Sequence, residues 1–207
     1  MSRALQLASL AQALQMRLEA LHDGVDPSWR APLGLAQSPL EWDQGPVGQR
    51  MSIALYERNC GPLPPLSSLE HPASRLALLD RTQMLSRLCA LALLGRPGVL
   101  RCCVERNSRA ALQQCLGPAY TALRGLQEGT PVASDVASWS PLTWAWVGYR
   151  ELVREGAWPD RGLRRLARLS LPLSREDEPR AKQVPAPLTP VHARLERLES
   201  LFEAKPC

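Results

Sequence analysis

Four arginines between residues 161 and 168 are the side chains whose type and spacing best suit a binding function. Arg161, Arg164, Arg165 and Arg168 recur at helical intervals, so their guanidinium groups lie on neighbouring turns of a helix. Such groups bind phosphates or an acidic protein surface. A solvated helix face is the alternative, and we favour it over nucleic-acid binding because no stacking aromatics and no helix-turn-helix pattern accompany the arginines.

A second candidate is the densest aromatic group of the chain, which comprises Trp139, Trp144, Trp146, Tyr149 and Trp158. Trp146 and Tyr149 share one side of a helix, whereas Trp144 projects elsewhere, so one buried face cannot hold all of them. We favour core packing for the group. Trp144 is the residue to test as a partner-binding hot spot, because Trp, Tyr and Arg are enriched at such sites.

The third candidate is a C-terminal amphipathic helix, expected over residues 191–204. Its apolar side carries Val191, Leu195, Leu198, Leu201 and Phe202. Its other residues, Arg194, Glu196, Arg197 and Glu199, are expected mostly to face solvent. The helix either packs back on the chain, which we favour, or docks on another protein as an amphipathic ligand. Leu195, Leu198 and Phe202 are the candidate contact residues in the second case.

We expect no catalytic residues, no metal site and no cofactor. Zinc sites require pairs of Cys or His a few residues apart, and His22, His71 and His192 are scattered beside expected helix ends. The chain contains no G-x-S-x-G motif and no glycine-rich nucleotide-binding loop. We therefore interpret the protein as not an enzyme.

The elements that carry these candidates are expected to be helices only. The chain contains 37 Leu, 10 Val and a single Ile, and this balance favours helix over strand. An apolar stripe follows helical spacing and includes Leu76, Leu79, Met84, Leu88, Leu91 and Leu94. Gly95 to Pro97 and Gly117-Pro118 end one helix and begin the next. The pattern predicts an all-α, irregular single-domain bundle of short helices.

The expected helices cover residues 2–21, 49–58, 71–94, 97–105, 108–116, 118–127, 140–154, 159–170 and 191–204. Ser108 is the predicted N-cap of the fifth of them. Between the first two, residues 26–48 contain four prolines together with Trp29 and Trp42, which predicts an irregular segment wrapped over the core. The resulting division is a helical domain (1–170), a Pro-rich connector (171–190) and a C-terminal helix (191–207).

Composition also indicates a compartment. The N-terminal residues lack the continuous apolar stretch and the cleavage site of a signal peptide. The longest strongly apolar run, Leu88 to Leu94, is too short to cross a bilayer. The six cysteines are expected to be buried free thiols, since a chain of 207 residues does not need disulfides to fold. We therefore expect a cytosolic protein. The net charge of the chain is modest, at +5.

Several segments together carry a family resemblance. They are Asp26-Pro27-Ser28-Trp29, Leu93-Leu94-Gly95-Arg96, Leu116-Gly117-Pro118, Trp146 to Arg150, and the run from Leu163 to Pro172. Over residues 26–172 the chain resembles the SctK/YscK-type accessory proteins of bacterial type III secretion systems. The resemblance implies a non-enzymatic cytosolic adaptor of the sorting platform. Its implied partners are the cytosolic domain of the SctD-type inner-membrane ring protein and the SctQ-type pod protein, with no nucleic acid and no membrane insertion.

Two other functions remain open at this stage. One is a helical nucleic-acid-binding regulator that uses the arginine patch. The other is a type III secretion chaperone, although such chaperones are usually smaller and more acidic than this chain.

Overall fold

The structure is a computed structural model that describes residues 2–35, 45–126, 129 and 131–202. Within these residues the chain forms thirteen α-helices, two short 3-10 helices and no strand, which confirms the all-α prediction. The α-helices are α1 (Arg3–Glu19), α2 (Leu21–Gly24), α3 (Pro46–Cys60), α4 (Leu66–Leu69), α5 (Pro72–Ala77), α6 (Arg81–Leu94), α7 (Val99–Cys102), α8 (Arg106–Leu116), α9 (Pro118–Arg124), α10 (Ser134–Ala137), α11 (Pro141–Arg154), α12 (Arg161–Leu169) and α13 (Val191–Phe202). The 3-10 helices are Pro27–Trp29 and Ala181–Gln183. None of the described helices combines the length and the hydropathy needed to cross a bilayer.

Helix α11 begins where the sequence predicts. The Ser140 hydroxyl accepts a hydrogen bond from the amide of Thr143 at 3.1 Å, and Pro141 occupies the first helical position. Proline is favoured there because its missing N–H would have had no partner in any case. Helix α12 starts two residues later than Pro159, because the Asp160 carboxylate accepts from the amide of Leu163 at 2.9 Å and acts as the cap.

The prediction of a single helix over residues 71–94 is wrong, since the structure has two helices there. Helix α5 ends at Ala77, and Asp80 then caps a new helix by accepting from the amide of Gln83 at 2.8 Å. Ser108 is also not an N-cap. It lies inside α8, and its hydroxyl donates to the carbonyl oxygen of Ser138 at 2.8 Å. A local pattern does not distinguish a capping hydroxyl from one with a distant partner.

The chain divides into two compact units, of which the first comprises residues 1–84 and 158–175. In this unit α1 packs on α3 and α4, and α12 packs on α3 and α5. The core includes Leu14, Leu18, Leu21, Tyr56, Leu69, Leu163 and Leu166. Gly162 allows α12 to approach α3, because a Cβ at this position would lie 2.5 Å from the Tyr56 hydroxyl oxygen.

The second unit comprises residues 85–157 and 176–207. Its core includes Leu88, Leu91, Leu112, Leu116, Trp144, Trp146 and Leu152. Gly148 brings α11 against the backbone of α6, since a Cβ there would lie 2.1 Å from the carbonyl oxygen of Leu88. The expected apolar stripe has three residues in each unit. Five of these six residues are buried, and Leu79 is half-buried.

Part of the sequence prediction falls outside the described residues. Residues 36–44, which include Leu40 and Trp42, and the end of the C-terminal segment from residue 203 are not covered. In the described part of the Pro-rich N-terminal segment, Leu35 is buried and Trp29 is half-buried. The division of the chain at residues 170 and 190 stays a prediction.

Candidate partner-binding surfaces

Helix α12 divides its residues between a buried and an outward side. Leu163, Leu166, Ala167 and Leu169 are buried, and this face orients the arginines between them. Arg161 and Arg165 are exposed, whereas Arg164 and Arg168 are half-buried. The four candidate arginines therefore do not form one uniform basic surface.

Arg168 is held by the chain itself. Its Nη1 donates to the carbonyl oxygens of Leu171 at 3.0 Å and Pro172 at 2.7 Å, and its Nη2 donates to that of Leu173 at 3.2 Å. Its guanidinium carbon also lies 5.1 Å from the centroid of the Trp29 ring, a cation-π contact. These bonds use three of the five N–H groups of the guanidinium, so Arg168 stabilises this segment of its own chain.

Two of the segments that carry the family resemblance meet at this point. Trp29 Nε1 donates to the carbonyl oxygen of Leu171 at 2.8 Å, and the amide of Leu173 donates to Ser28 Oγ at 2.8 Å. The amide of Asp26 donates to the carbonyl oxygen of Leu169 at 2.8 Å. The early Asp-Pro-Ser-Trp motif therefore binds the backbone at the end of α12 and just after it.

Asp26 is the polar centre of this contact. Its carboxylate accepts from the amide and the hydroxyl of Ser28, at 3.0 and 2.6 Å, and from the guanidinium of Arg81. Burial alone would raise the pKa of Asp26, but the hydrogen bonds from Ser28 and the charge of Arg81 outweigh it and hold the pKa below its usual value. Arg81 Nε in turn donates to the carbonyl oxygen of Ser170 at 3.1 Å.

The aromatic candidate Trp144 is fully buried, with 0% of its surface exposed. Its ring lies 5.2 Å from that of Trp139, centroid to centroid. Trp146 and Tyr149 are buried as well, and their rings meet edge to face at 6.2 Å. Trp144, Trp146 and Tyr149 therefore belong to the core of the second unit, whereas Trp139 and Trp158 are half-buried. Trp144 has no exposed surface in the folded unit to offer a partner, and this weighs against its candidate role as a hot spot, which stays a prediction.

Helix α13 packs on the second unit through a buried charge cluster that we call the arginine clasp, formed by Arg96, Glu151 and Arg194. Arg96 Nη2 lies 2.5 Å from Glu151 Oε1, and Arg194 Nη1 lies 2.6 Å from Glu151 Oε2. Both arginines also donate to backbone carbonyls of α6, Arg96 to Ala92 and Arg194 to Leu91. One carboxylate therefore joins α13 to α11 and to the end of α6.

The clasp also fixes the Pro-rich segment that precedes α13. Arg96 Nε donates to the carbonyl oxygen of Pro185 at 2.7 Å, and the amide of Leu188 donates to that of Gly95 at 2.8 Å. The space beside Gly95 is tight, because a Cβ there would lie 3.0 Å from both Arg194 Nη1 and Pro187 Cβ. Backbone bonds of this kind hold the segment against the helices of its own unit.

The expectation that Arg194 faces solvent is wrong, because only 1% of its surface is exposed. A signal was present in the sequence. Arg194 lies three residues after Val191 and one before Leu195, so it falls on the apolar side of the helix. Glu151 is likewise the only acidic residue of α11, whose other charged residues are Arg150 and Arg154.

The three apolar candidates on α13 have different surroundings. Leu195 and Leu198 are buried in the second unit and thus are not available to a partner. Phe202 is half-buried, and the guanidinium carbon of Arg87 lies 4.6 Å from its ring centroid. The outward side of α13 instead presents Glu196 and Arg197. The helix packs on its own unit, as we favoured.

Sequence reasoning missed an exposed apolar stripe on α3. Val47 is 68% exposed and Met51 is 38% exposed, one turn apart on the same face, while Ser52, Tyr56 and Cys60 are buried on another. The signal was available, because apolar residues occur all round this helix and one core cannot bury every side of it. Isolated exposed apolar residues are ordinary, so this stripe alone does not identify a site.

The described residues contain no group of three or more His, Cys, Asp or Glu side chains placed to hold a metal ion. The exposed side chains on the candidate helices are Arg161 and Arg165 of α12 and Glu196 and Arg197 of α13.

Comparison with known protein families identifies a type III secretion family. A family model described as bacterial type III secretion protein (HrpB4) covers residues 2–203 of the chain. No curated protein and no solved structure matches.

Proposed function

Since the chain belongs to the HrpB4 family of bacterial type III secretion proteins, we propose that it is a non-enzymatic adaptor of the secretion sorting platform. In this role it bridges the SctQ-type pod protein and the cytosolic domain of the SctD-type inner-membrane ring protein. It acts in the cytoplasm, at the cytosolic face of the inner membrane when assembled. The match of the family model over nearly the whole chain is the observation that carries this proposal.

The arrangement of the helices supports a bridging role. A bridge needs two contact surfaces, and each unit has a helix whose inner side is fixed and whose outer side is charged. In the first unit α12 presents Arg161 and Arg165. In the second unit α13 presents Glu196 and Arg197. Because buried contacts hold both helices, these side chains can contact a partner without unfolding either unit.

The geometry also weighs against the nucleic-acid alternative. Phosphate binding by a basic patch grows with the number of cations that reach the backbone. Arg168 is committed to three carbonyl oxygens and Arg164 is half-buried, so two of the four guanidinium groups are exposed. A protein surface with a few carboxylates is a better match for such a small patch.

The test is co-purification of the full-length chain with the pod protein and with the cytosolic domain of the ring protein. We expect the double variant Arg161→Glu/Arg165→Glu to lose one of the two neighbours and to retain the other. The matched control is Arg106→Glu/Arg124→Glu, which makes the same charge change at two exposed positions of the second unit. The control is expected to retain both neighbours.

A second variant tests the other surface. Exchange of charge on α13, Glu196→Lys with Arg197→Glu, leaves the net charge unchanged and is expected to remove the neighbour that the first variant retains. Retention of both neighbours by both variants would exclude these two helix faces as the binding surfaces. Failure of the unmodified chain to bind either neighbour, together with salt-sensitive retention on DNA, would replace the adaptor proposal with the nucleic-acid one.

A further inference from the structure

The outward side of α1 carries no charge over most of its length. Residues 4–16 contain no acidic or basic side chain. Two large apolar residues lie on this side, since Leu5 is 62% exposed and Met16 is 61% exposed. The other exposed residues of this stretch are small or neutral: Ala4, Ala8, Ser9, Gln12 and Gln15. A helix side that faces water normally carries charged residues.

The outward sides of other surface helices follow this rule. Their exposed charged residues include Arg50 and Arg58 on α3, Arg106 and Arg109 on α8, Arg161 and Arg165 on α12, and Glu196 and Arg197 on α13. The core of a protein interface is depleted of charged residues and enriched in Met. The outward side of α1 therefore resembles a surface that another molecule covers.

Four exposed residues of α1, namely Leu5, Ser9, Gln12 and Met16, form a straight stripe that we call the outer stripe. Leu5 and Met16 are 11 positions apart, which is about three helical turns and about 16 Å along the axis. The order of the stripe is symmetric about its midpoint, with a large apolar residue at each end and a polar residue on either side of the centre. A symmetric stripe matches a second copy of itself when the two helices run in opposite directions.

We propose that the outer stripe of α1 is a homodimer interface, in which the α1 helices of two copies of this chain pair antiparallel. Leu5 of each copy packs against Met16 of the other. Ser9 of each copy faces Gln12 of the other, so the Gln12 amide can donate a hydrogen bond to the Ser9 hydroxyl. A two-fold axis at the midpoint makes the two halves of the interface equivalent.

The charges at the two ends of α1 favour the antiparallel direction. At its start, Arg3 binds Glu70 at 2.8 Å while 75% of the Arg3 side chain stays exposed. At its end, Glu19 Oε1 accepts from the neutral amides of Gln15 and Gln49, at 2.9 and 3.0 Å. Antiparallel pairing brings the arginine end of each helix beside the glutamate end of the other, and it also opposes the two helix dipoles. Parallel pairing would place like charges together.

The inner side of α1 holds the outer stripe in place. Leu14 and Leu18 are buried in the first unit, where α1 packs on α3 and α4. The interface uses none of the α12 and α13 residues assigned above to the secretion neighbours, so the inference goes beyond the adaptor proposal. One helix from each copy buries less surface than a standard interface, and we therefore expect a weak dimer that forms with increasing concentration.

Sedimentation velocity of the purified full-length chain, from micromolar to near-millimolar concentration, tests for the dimer. We expect the average mass to rise from the 22.9 kDa of one chain towards twice that value. Leu5→Glu/Met16→Glu is expected to keep the mass of one chain throughout, because the introduced carboxylates face each other across the two-fold axis. The matched control is Val104→Glu/Leu188→Glu, which adds the same charges at two exposed apolar positions of the second unit. It is expected to dimerise as the unmodified chain does.

Cross-linking tests the direction of the pairing. Chains with Leu5→Cys are mixed with chains with Met16→Cys and oxidised mildly. An antiparallel pair is expected to link the two kinds of chain, whereas a parallel pair would link each chain to its own kind, because a disulfide does not span three helical turns. Trypsin releases both positions in the peptide 4–17. The two substitutions change the mass of this peptide differently, so mass spectrometry distinguishes the mixed link from the others.

Four results would overturn the proposal. They are an unmodified chain that stays monomeric at every concentration, a dimer that survives in folded Leu5→Glu/Met16→Glu, links mainly between chains of the same kind, and a monomeric chain whose Leu5→Glu/Met16→Glu variant loses one of the secretion neighbours. The last result would assign the outer stripe to a different protein. The first and third results need no glutamate variant, so the test stays decisive if that variant fails to fold. Both use the chain alone and leave the adaptor proposal unaffected.

Discussion

Each of the two units buries arginine, but in opposite chemical surroundings. In the first unit Arg17 Nη2 donates to two neutral oxygens, the carbonyl of Gly24 at 3.0 Å and the hydroxyl of Ser170 at 2.9 Å. Its Nε and Nη1 have no hydrogen-bond partner among the described residues. Burial accordingly lowers the pKa of Arg17 to about 10.

In the second unit Arg96 and Arg194 share the Glu151 carboxylate, and the carboxylate of Glu155 lies 3.9 Å from Arg194 Nη2. The cost of removing these charges from water is therefore offset by an opposite charge. The comparison indicates that the second unit depends on one carboxylate, whereas the first unit tolerates a buried cation that contributes little to its stability.

The largest expected effect comes from breaking the arginine clasp. Glu151→Gln removes the charge that compensates two buried arginines, and loss of one partner of a buried ion pair costs about 3–5 kcal/mol. The amide nitrogen of Gln would also face one arginine as a second donor. We expect the free energy of unfolding, measured by urea denaturation with tryptophan fluorescence, to fall by this amount.

The matched control for the clasp is Glu196→Gln, which makes the same change on the outward side of α13. It is expected to change the free energy of unfolding by less than about 0.5 kcal/mol. Equal effects of the two substitutions would contradict the dependence of the second unit on Glu151.

The sequence predicts the helices that carry these buried arginines better than it predicts the partners that the arginines bind. Helical spacing identified the apolar stripes, and Ser140-Pro141 identified the start of α11, because both are local signals. The clasp joins residues that are more than 40 positions apart in the chain, and no local pattern pairs Arg194 with Glu151. The same limit explains Arg168, whose spacing fits a basic surface although its donors bind the chain that follows.

Trp144 illustrates a related limit of the sequence. Its position on a different side of α11 from Trp146 indicated that one buried face cannot hold the whole aromatic group, yet both Trp144 and Trp146 are buried. A helix with neighbours on several sides buries more than one face, and this depends on tertiary packing that periodicity does not report. The type III secretion assignment came from residue patterns and is confirmed by the family match.

A second prediction tests the space around the buried arginine of the first unit. A Cβ at Gly24 would lie 1.5 Å from Arg17 Nη1, so Gly24→Ala forces this guanidinium out of its site. We expect a cost of about 1–3 kcal/mol in urea denaturation, as for other overpacked positions. In an Arg17→Met background the same substitution should cost much less, since the shorter side chain leaves room. An equal cost in both backgrounds would place the strain elsewhere.

The third prediction concerns the ion pair of Asp26 and Arg81. This pair is partly exposed, whereas Arg17 and the arginine clasp are buried. Asp26→Asn is expected to lower the free energy of unfolding near neutral pH by about 1–2 kcal/mol, because it removes a charged hydrogen-bond acceptor. The pKa of Asp26 is lowered in the folded state, so its contribution is complete above the unfolded value of 3.8 and is lost as the pH falls below it.

The pH dependence separates charge from packing at Asp26. Urea denaturation at several pH values should give a shallower decline below pH ~4 for Asp26→Asn than for the unmodified chain. Asp23→Asn is the control, because the Asp23 side chain is 86% exposed. If Asp23→Asn flattens the acid decline as much as Asp26→Asn does, the ion pair with Arg81 is not its cause.

The smallest expected effect is the most informative about the comparison, and it comes from Arg17→Met. Methionine keeps the length and flexibility of the buried stem but removes a cation whose Nε and Nη1 have no partner. The carbonyl of Gly24 stays satisfied, because Ser170 Oγ also donates to it at 2.9 Å. We therefore expect the free energy of unfolding to change by less than about 1 kcal/mol.

Arg194→Met is the matched substitution in the second unit, and it should cost several times more because it leaves Glu151 with one of its two buried cations. Similar losses for the two variants would show that Arg17 also depends on charge, through the attraction of Asp80, and that the two units bury arginine in the same way.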